Sequence, residues 1–115
     1  YSGVPAFDNS IDHRWSRMAR RLRYLVCYDI RHPRRLRRVH HVMTGYGEPL
    51  QYSVFICDLS RAELLALKAD LRAEVNVRED SIGIFDLGPP SGRGVACVEF
   101  IGTRRPLPSG EATIW

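Results

Sequence analysis

Lysine is nearly absent from this chain. Lys68 stands alone beside sixteen arginines. The guanidinium fork suits phosphate better than an ammonium does, but an arginine-rich genome gives the same ratio, so the ratio alone carries little weight. Cysteine is scarce as well. Cys27, Cys57 and Cys97 are odd in number, widely spaced, and each sits inside an apolar run. That pattern excludes a disulfide framework and a zinc ligand set, and buried, reduced thiols are expected. The four histidines, His13, His32, His40 and His41, show no ligand spacing, and adjacent His40 and His41 are expected to point in different directions on a helix. No apolar run approaches the ~20 residues of a membrane helix, and the first residues carry no apolar signal segment. The expectation is a soluble protein of the cytoplasm with no membrane contact.

Acid is missing where base is densest. Residues 14–38 hold ten arginines against one carboxylate, Asp29, within a chain of formal charge +4. A positive block of this kind favours an anionic partner, of which nucleic acid is the commonest. The 115 residues and 44% hydrophobic content describe one ordered domain with a single two-layer core.

The stretch Tyr24-Leu25-Val26-Cys27-Tyr28-Asp29-Ile30 has no turn residue and apolar side chains on both faces, as in a strand in the middle of a sheet. Pro33 then fits the first turn of a helix. Leu36, Val39, Met43 and Tyr46 form its buried stripe, Arg34, Arg35, Arg37, Arg38 and His41 cover the rest, and Gly45 and Gly47 end it. Leu50–Leu59 is extended, long for one strand, and a bend near Ser53 would split it. Ser60 and Glu63 make a capping box for a second helix with a Leu64, Leu67, Leu71 and Val75 stripe. Its outer face balances Glu63, Asp70 and Glu74 against Arg61, Lys68 and Arg72, so it is assigned to packing and the charge bias is local to the first helix. Asn76–Asp80 is a polar connection, Ser81–Leu87 a strand, residues 88–94 a loop, Val95–Ile101 a further strand, and Ala112–Trp115 a short terminal strand.

With the middle run split, the order is α+β, ferredoxin-like βαββαβ with an extra C-terminal strand, two helices lying on one face of an antiparallel sheet. Tyr24, Val26, Tyr28 and either Phe55 or Val54 exceed what two helices can cover. A second copy packed sheet to sheet is therefore expected, a homodimer on a two-fold axis. The expected organisation is an N-terminal extension over 1–23, a domain over 24–101, and a tail over 102–115 whose strand crosses to the dimer partner. Met18 reads as a natural initiator, with the preceding residues as an added extension. The alternative is a basic arm bearing Arg14, Arg17, Arg20, Arg21 and Arg23.

These segments together resemble a known family. The Tyr24–Ile30 strand, the arginine-rich Pro33–Val39, Gly45-Tyr46-Gly47, Gln51-Tyr52-Ser53-Val54-Phe55, and the Glu79-Asp80-Ser81 step into Ile84-Phe85-Asp86-Leu87-Gly88 are similar, in order, to the CRISPR-associated Cas-two family over about Tyr24 to Ile101. The resemblance implies a ferredoxin-like homodimer that binds nucleic acid in CRISPR adaptation as the small partner of the Cas-one integrase. In some members it implies a magnesium-dependent endonuclease acting on RNA or double-stranded DNA. Asp29 matches the family's metal-binding aspartate, Tyr28 the aromatic before it, Arg38 a helix arginine and Phe55 the aromatic of the Ser-Val-Phe step; these four are the implied catalytic residues. One departure matters: Glu48, Pro49 and Leu50 stand where several members carry an arginine or lysine before the glutamine.

One aspartate per chain makes a poor magnesium site, and two copies of Asp29 across a two-fold axis would make a better one. Arg31, Arg34, Arg35, Arg37 and Arg38 would hold the phosphate backbone. Asp58 and Asp86 end other strands and could approach. The competing role for Asp29 is to cap the following helix, leaving a DNA-binding scaffold for Cas-one without chemistry. A third reading is a toxin-like ribonuclease of the same fold, similar to the virulence-associated VapD group. Tyr28 and Tyr46 read as core rather than as base-stacking residues.

Overall fold

The computed structural model describes residues 20–103. Seven elements follow one another: β1 (Leu22–Asp29), α1 (Pro33–Thr44), β2 (Glu48–Gln51), β3 (Val54–Leu59), α2 (Arg61–Arg72), β4 (Ser81–Gly88) and the single-turn α3 (Arg93–Ala96). The four strands form one antiparallel sheet in the order β2-β3-β1-β4. The βαββαβ order is the ferredoxin-like arrangement, and β1 lies inside the sheet as its two apolar faces require.

The alternation along β1 divides the sheet into two faces. Tyr24, Val26 and Tyr28 enter the core with Phe55, Cys57 and Leu59 of β3, Val39 and Met43 of α1, and Leu67 and Leu71 of α2. The expectation that Tyr24, Val26, Tyr28 and Phe55 would overfill the helix layer is therefore corrected: all four are buried beneath the helices. The outer face carries the other set. Leu25 pairs with Ile56 and Phe85, and Cys27 with Val54 and Gly83. Leu25, Cys27 and Val54 are half-buried there, and Phe85 is 54% exposed. The Phe85 ring lies over Gly83, where a Cβ would come within 2.9 Å of it.

The long extended run does bend where expected. Tyr52 and Ser53 form the turn between β2 and β3, and Ser53 takes a left-handed φ of 64°. Pro33 occupies the first turn of α1, and the His32 side chain caps it by accepting from the Arg34 N–H. The capping box is present at α2, with Ser60 and Glu63 each accepting from the other's backbone N–H. Gly45 ends α1 in an ordinary right-handed conformation. Gly47 is needed for a different reason: a Cβ there would fall 2.3 Å from the Ile56 carbonyl oxygen, so the chain passes hard against β3.

Two expectations fail beyond β4. Val95–Ile101 is not a strand; the chain turns at Gly88 and Gly92, both at positive φ, and closes α3 instead. The Gly94 N–H donates to the Pro89 carbonyl, and a Cβ on Gly94 would sit 2.4 Å from that oxygen and 3.3 Å from Arg23, so the segment folds back over the start of β1. Cys97, expected inside a strand, consequently lies exposed, whereas Cys57 is buried and Cys27 half-buried; all three are free thiols. Burial, followed by the nearby Asp58 charge, pushes the Cys57 thiol up to about 12, which leaves it unreactive. The terminal strand Ala112–Trp115, Met18, and Arg14 and Arg17 of the alternative arm lie outside the described residues.

Gly47→Ala is expected to destabilise the domain by about 1–3 kcal/mol through overpacking against backbone. A melting temperature lowered by several degrees in thermal unfolding checks this.

Candidate nucleic-acid interface

The end of β1 and the start of α1 are joined by one carboxylate from far along the chain. Asp80, immediately before β4, accepts the Arg31 N–H at 2.9 Å, the Asn76 N–H at 2.8 Å and the Arg35 guanidinium at 2.7 Å. Its side chain is closed to solvent. The Arg35 guanidinium, against the opposing effect of desolvation, and these two N–H groups hold the Asp80 carboxyl well below the usual carboxylate range.

The expected phosphate-binding arginines divide into two groups. Arg35 pairs with Asp80 and Glu79, and Arg38 with Glu74 at 2.8 Å. Among the described residues, no acid pairs with the side chains of Arg31, Arg34 and Arg37, and all three residues are exposed. The alternative basic arm is depleted in the same way. Arg21 makes a two-pronged pair with Glu63, and Arg23, fully buried, makes another with its cross-strand neighbour Asp58 at 2.7 and 2.8 Å. Asp58 is thereby committed to Arg23, and Asp86 accepts the Gly88 N–H.

Asp29 lies exposed at the end of β1, opposite Ser81. It does not cap α1, since His32 does. Among the described residues, no hydrogen bond or ion pair forms to the Asp29 carboxylate. Alternation places Asp29 on the outer face of the sheet and Tyr28 on the helix face. Among the described residues, no three His, Cys, Asp or Glu side chains converge to hold a metal ion.

Tyr28 is 6% exposed and Phe55 0%, so the Phe55 ring lies wholly within the core. Its ring stacks on Tyr28 at 6.3 Å and meets the edge of His40 at 5.4 Å. The Tyr28 hydroxyl lies 3.2 Å from His40 Nδ1. Burial first, then the neighbouring Tyr52 phenol, raise the Tyr28 hydroxyl above its ordinary range. Tyr46 is half-buried and donates to Asp70 at 2.6 Å, so both tyrosines are packed as expected. Sequence reasoning missed His40 and Tyr52. The helical spacing of His40 from Leu36, four residues earlier, was the available signal for His40. His40 and His41 both border one cavity, and His41 also borders a second one beside Tyr46 and Asp70.

A ferredoxin-like domain with an exposed acid at the tip of its central strand, beside a helix start rich in unpaired arginines, is the class of protein these features define. The chain belongs to the family described as CRISPR associated protein Cas2, whose model matches residues 18–92. It is similar to the CRISPR-associated endoribonuclease Cas2 of Geobacter sulfurreducens, 47% identical over 66 residues that cover 57% of this chain and 70% of the relative. A CRISPR-associated endoribonuclease Cas2 of Rhodospirillum rubrum is 38% identical over 79 residues, covering 69% and 76%. Among solved structures, Streptococcus pyogenes Cas2 superposes with a TM-score of 0.63 at 32% identity, covering 70% of this chain and all of that one. A hypothetical protein from Thermus thermophilus gives 0.65 at 31%, covering 76% and 98%.

Asp80 contributes to acid sensitivity with a defined sign. Its folded-state pKa lies below the unfolded value of about 3.9, so its stabilisation is complete above that pH and is lost as pH falls toward the folded value. Asp80→Asn is expected to lower the melting temperature at neutral pH and to flatten its decline below about pH 4; thermal melts across pH check both.

Proposed function

We propose that this chain is a CRISPR-associated nuclease of spacer acquisition, working as a homodimer that grips a sugar-phosphate backbone and cleaves it. The observation that carries the reading is the pairing of an exposed, unpartnered Asp29 with the unpaired Arg31, Arg34 and Arg37 just beyond it. The names of the relatives support nuclease activity on RNA, and double-stranded DNA is the other substrate class the reading admits. The half-exposed outer face around Leu25, Cys27 and Phe85 supports a second copy packed there.

Asp29 has its acceptor capacity unused, and magnesium is commonly held by one or two carboxylates together with waters and substrate phosphate. Asp29 and its copy in a second subunit are the residues that would hold magnesium, which when bound supplies charge stabilisation at the phosphoryl oxygens. Arg31, Arg34 and Arg37 bind and orient the strand through phosphate, without reading bases. Arg35 and Arg38, tied to Asp80 and Glu74, hold the turn and the helix in place. Asp29→Ala is expected to reduce cleavage of RNA or duplex DNA by about a hundredfold or more while binding persists, and chelator should stop the wild type. Unchanged cleavage would overturn the role of Asp29.

A second reading is a non-catalytic DNA scaffold for the Cas-one integrase. It is favoured by the single carboxylate that one chain offers at this point. It predicts no cleavage by the pure protein together with salt-sensitive duplex binding. Under either reading, replacing Arg31, Arg34 and Arg37 by alanine should reduce the slope of log affinity against log salt by about one per arginine, measured by titration at several salt concentrations.

A further inference from the structure

Between α1 and the β2–β3 turn lies a cavity of about 470 Å³, lined by Tyr28, Leu36, Arg37, His40, His41 and Tyr52. We propose that it receives one unpaired nucleobase of a bound strand, stacked on Tyr52, with Arg37 meeting the adjoining phosphate. The inference rests on the nucleic-acid reading above and deepens it: it assigns single-stranded segments or strand ends as the form this face prefers.

The size falls within the range of small-molecule pockets, and the occupant follows from the lining. Tyr52 is 82% exposed, so its ring packs little against its own chain. It stands on a short turn that is held at both ends. Ser53, next to it, is in the left-handed conformation, and the Ser53 carbonyl accepts the Tyr28 N–H at 3.0 Å. The aromatic platform is therefore fastened to the strand that ends in Asp29. The opposite wall is also fixed, because His40 is held by the Tyr28 hydroxyl and by the Phe55 ring. The lining thus combines an aromatic ring, Tyr52, with the imidazoles of His40 and His41, groups that can stack on a base and hydrogen-bond its edge. Arg37 of the lining has no acid partner among the described residues, and exposed Arg34 lies three positions earlier on the same helix, so an anionic strand complements it. A fully paired duplex keeps its bases stacked inside and offers none to this cavity.

The probe is a short oligoribonucleotide containing 2-aminopurine, presented single-stranded and as a fully paired duplex to the full-length chain. The wild type is expected to quench the single-strand fluorescence on binding. Tyr52→Ala should bind the single strand roughly tenfold more weakly, the scale of one aromatic–base stack, and lose the quench. Tyr52→Phe should restore both, and duplex affinity should stay within about twofold throughout. A Tyr52→Ala protein that binds and quenches the single strand like the wild type overturns the pocket alone, as does a wild type that binds duplex but no single strand. A wild type that binds neither form overturns the nucleic-acid reading and the pocket with it. Tyr52 is exposed, so its truncation leaves no hole in the core; circular dichroism of both variants confirms the fold.

Discussion

The geometry of this domain depends on how Asp80 is held. One shielded carboxylate takes an arginine fork and two backbone N–H groups, and so fixes the turn after β1, the first turn of α1 and the entry to β4 against one another. Charge-assisted bonds of this kind are stronger than neutral ones, and leaving such a carboxylate without them is costly. Asp29, two residues before Arg31, inherits its placement from that knot. Asp80 takes Arg35, while Arg31, Arg34 and Arg37 beside Asp29 are left, like Asp29 itself, without a charged partner among the described residues.

Much of the fold was legible in the residues. The two-sided apolar run of β1, Pro33 at a helix start, the Ser60–Glu63 box and the break near Ser53 are local signals, and each acts within a few residues. The failures share a physical cause as well. Val95–Ile101 reads as a strand by composition, yet glycines at 88, 92 and 94 allow a tight return that closes a helical turn first. The assignment of Tyr24, Val26 and Tyr28 to an uncovered face went wrong because pleat parity says which residues share a face but not which face the helices take.

The candidate site was legible only in part. Asp29 and the arginine block are consecutive in the chain, so their proximity is certain. Which arginines remain available is decided by Asp58, Glu63, Glu74, Glu79 and Asp80, which arrive 35 to 45 positions later. The second helix looked like simple packing, whereas Glu63 and, just past its end, Glu74 reach back to neutralise Arg21 and Arg38. Tyr52 was invisible for the same reason: its neighbours in the cavity come from β1 and α1, and no spacing rule joins them. The resemblance in sequence carried Tyr28 and Phe55 as functional, and the packing gives them distinct parts, one ring supporting the other and both supporting His40.

The order of these partners along the chain has a consequence for synthesis. Arg35 emerges 45 residues before Asp80, which at ~5–20 residues per second is about 2–9 s. During that interval Arg35 has no Asp80 to pair with. Pairing of Arg23 with Asp58 and of Arg35 with Asp80 neutralises these guanidinium charges only once the later strands have been made.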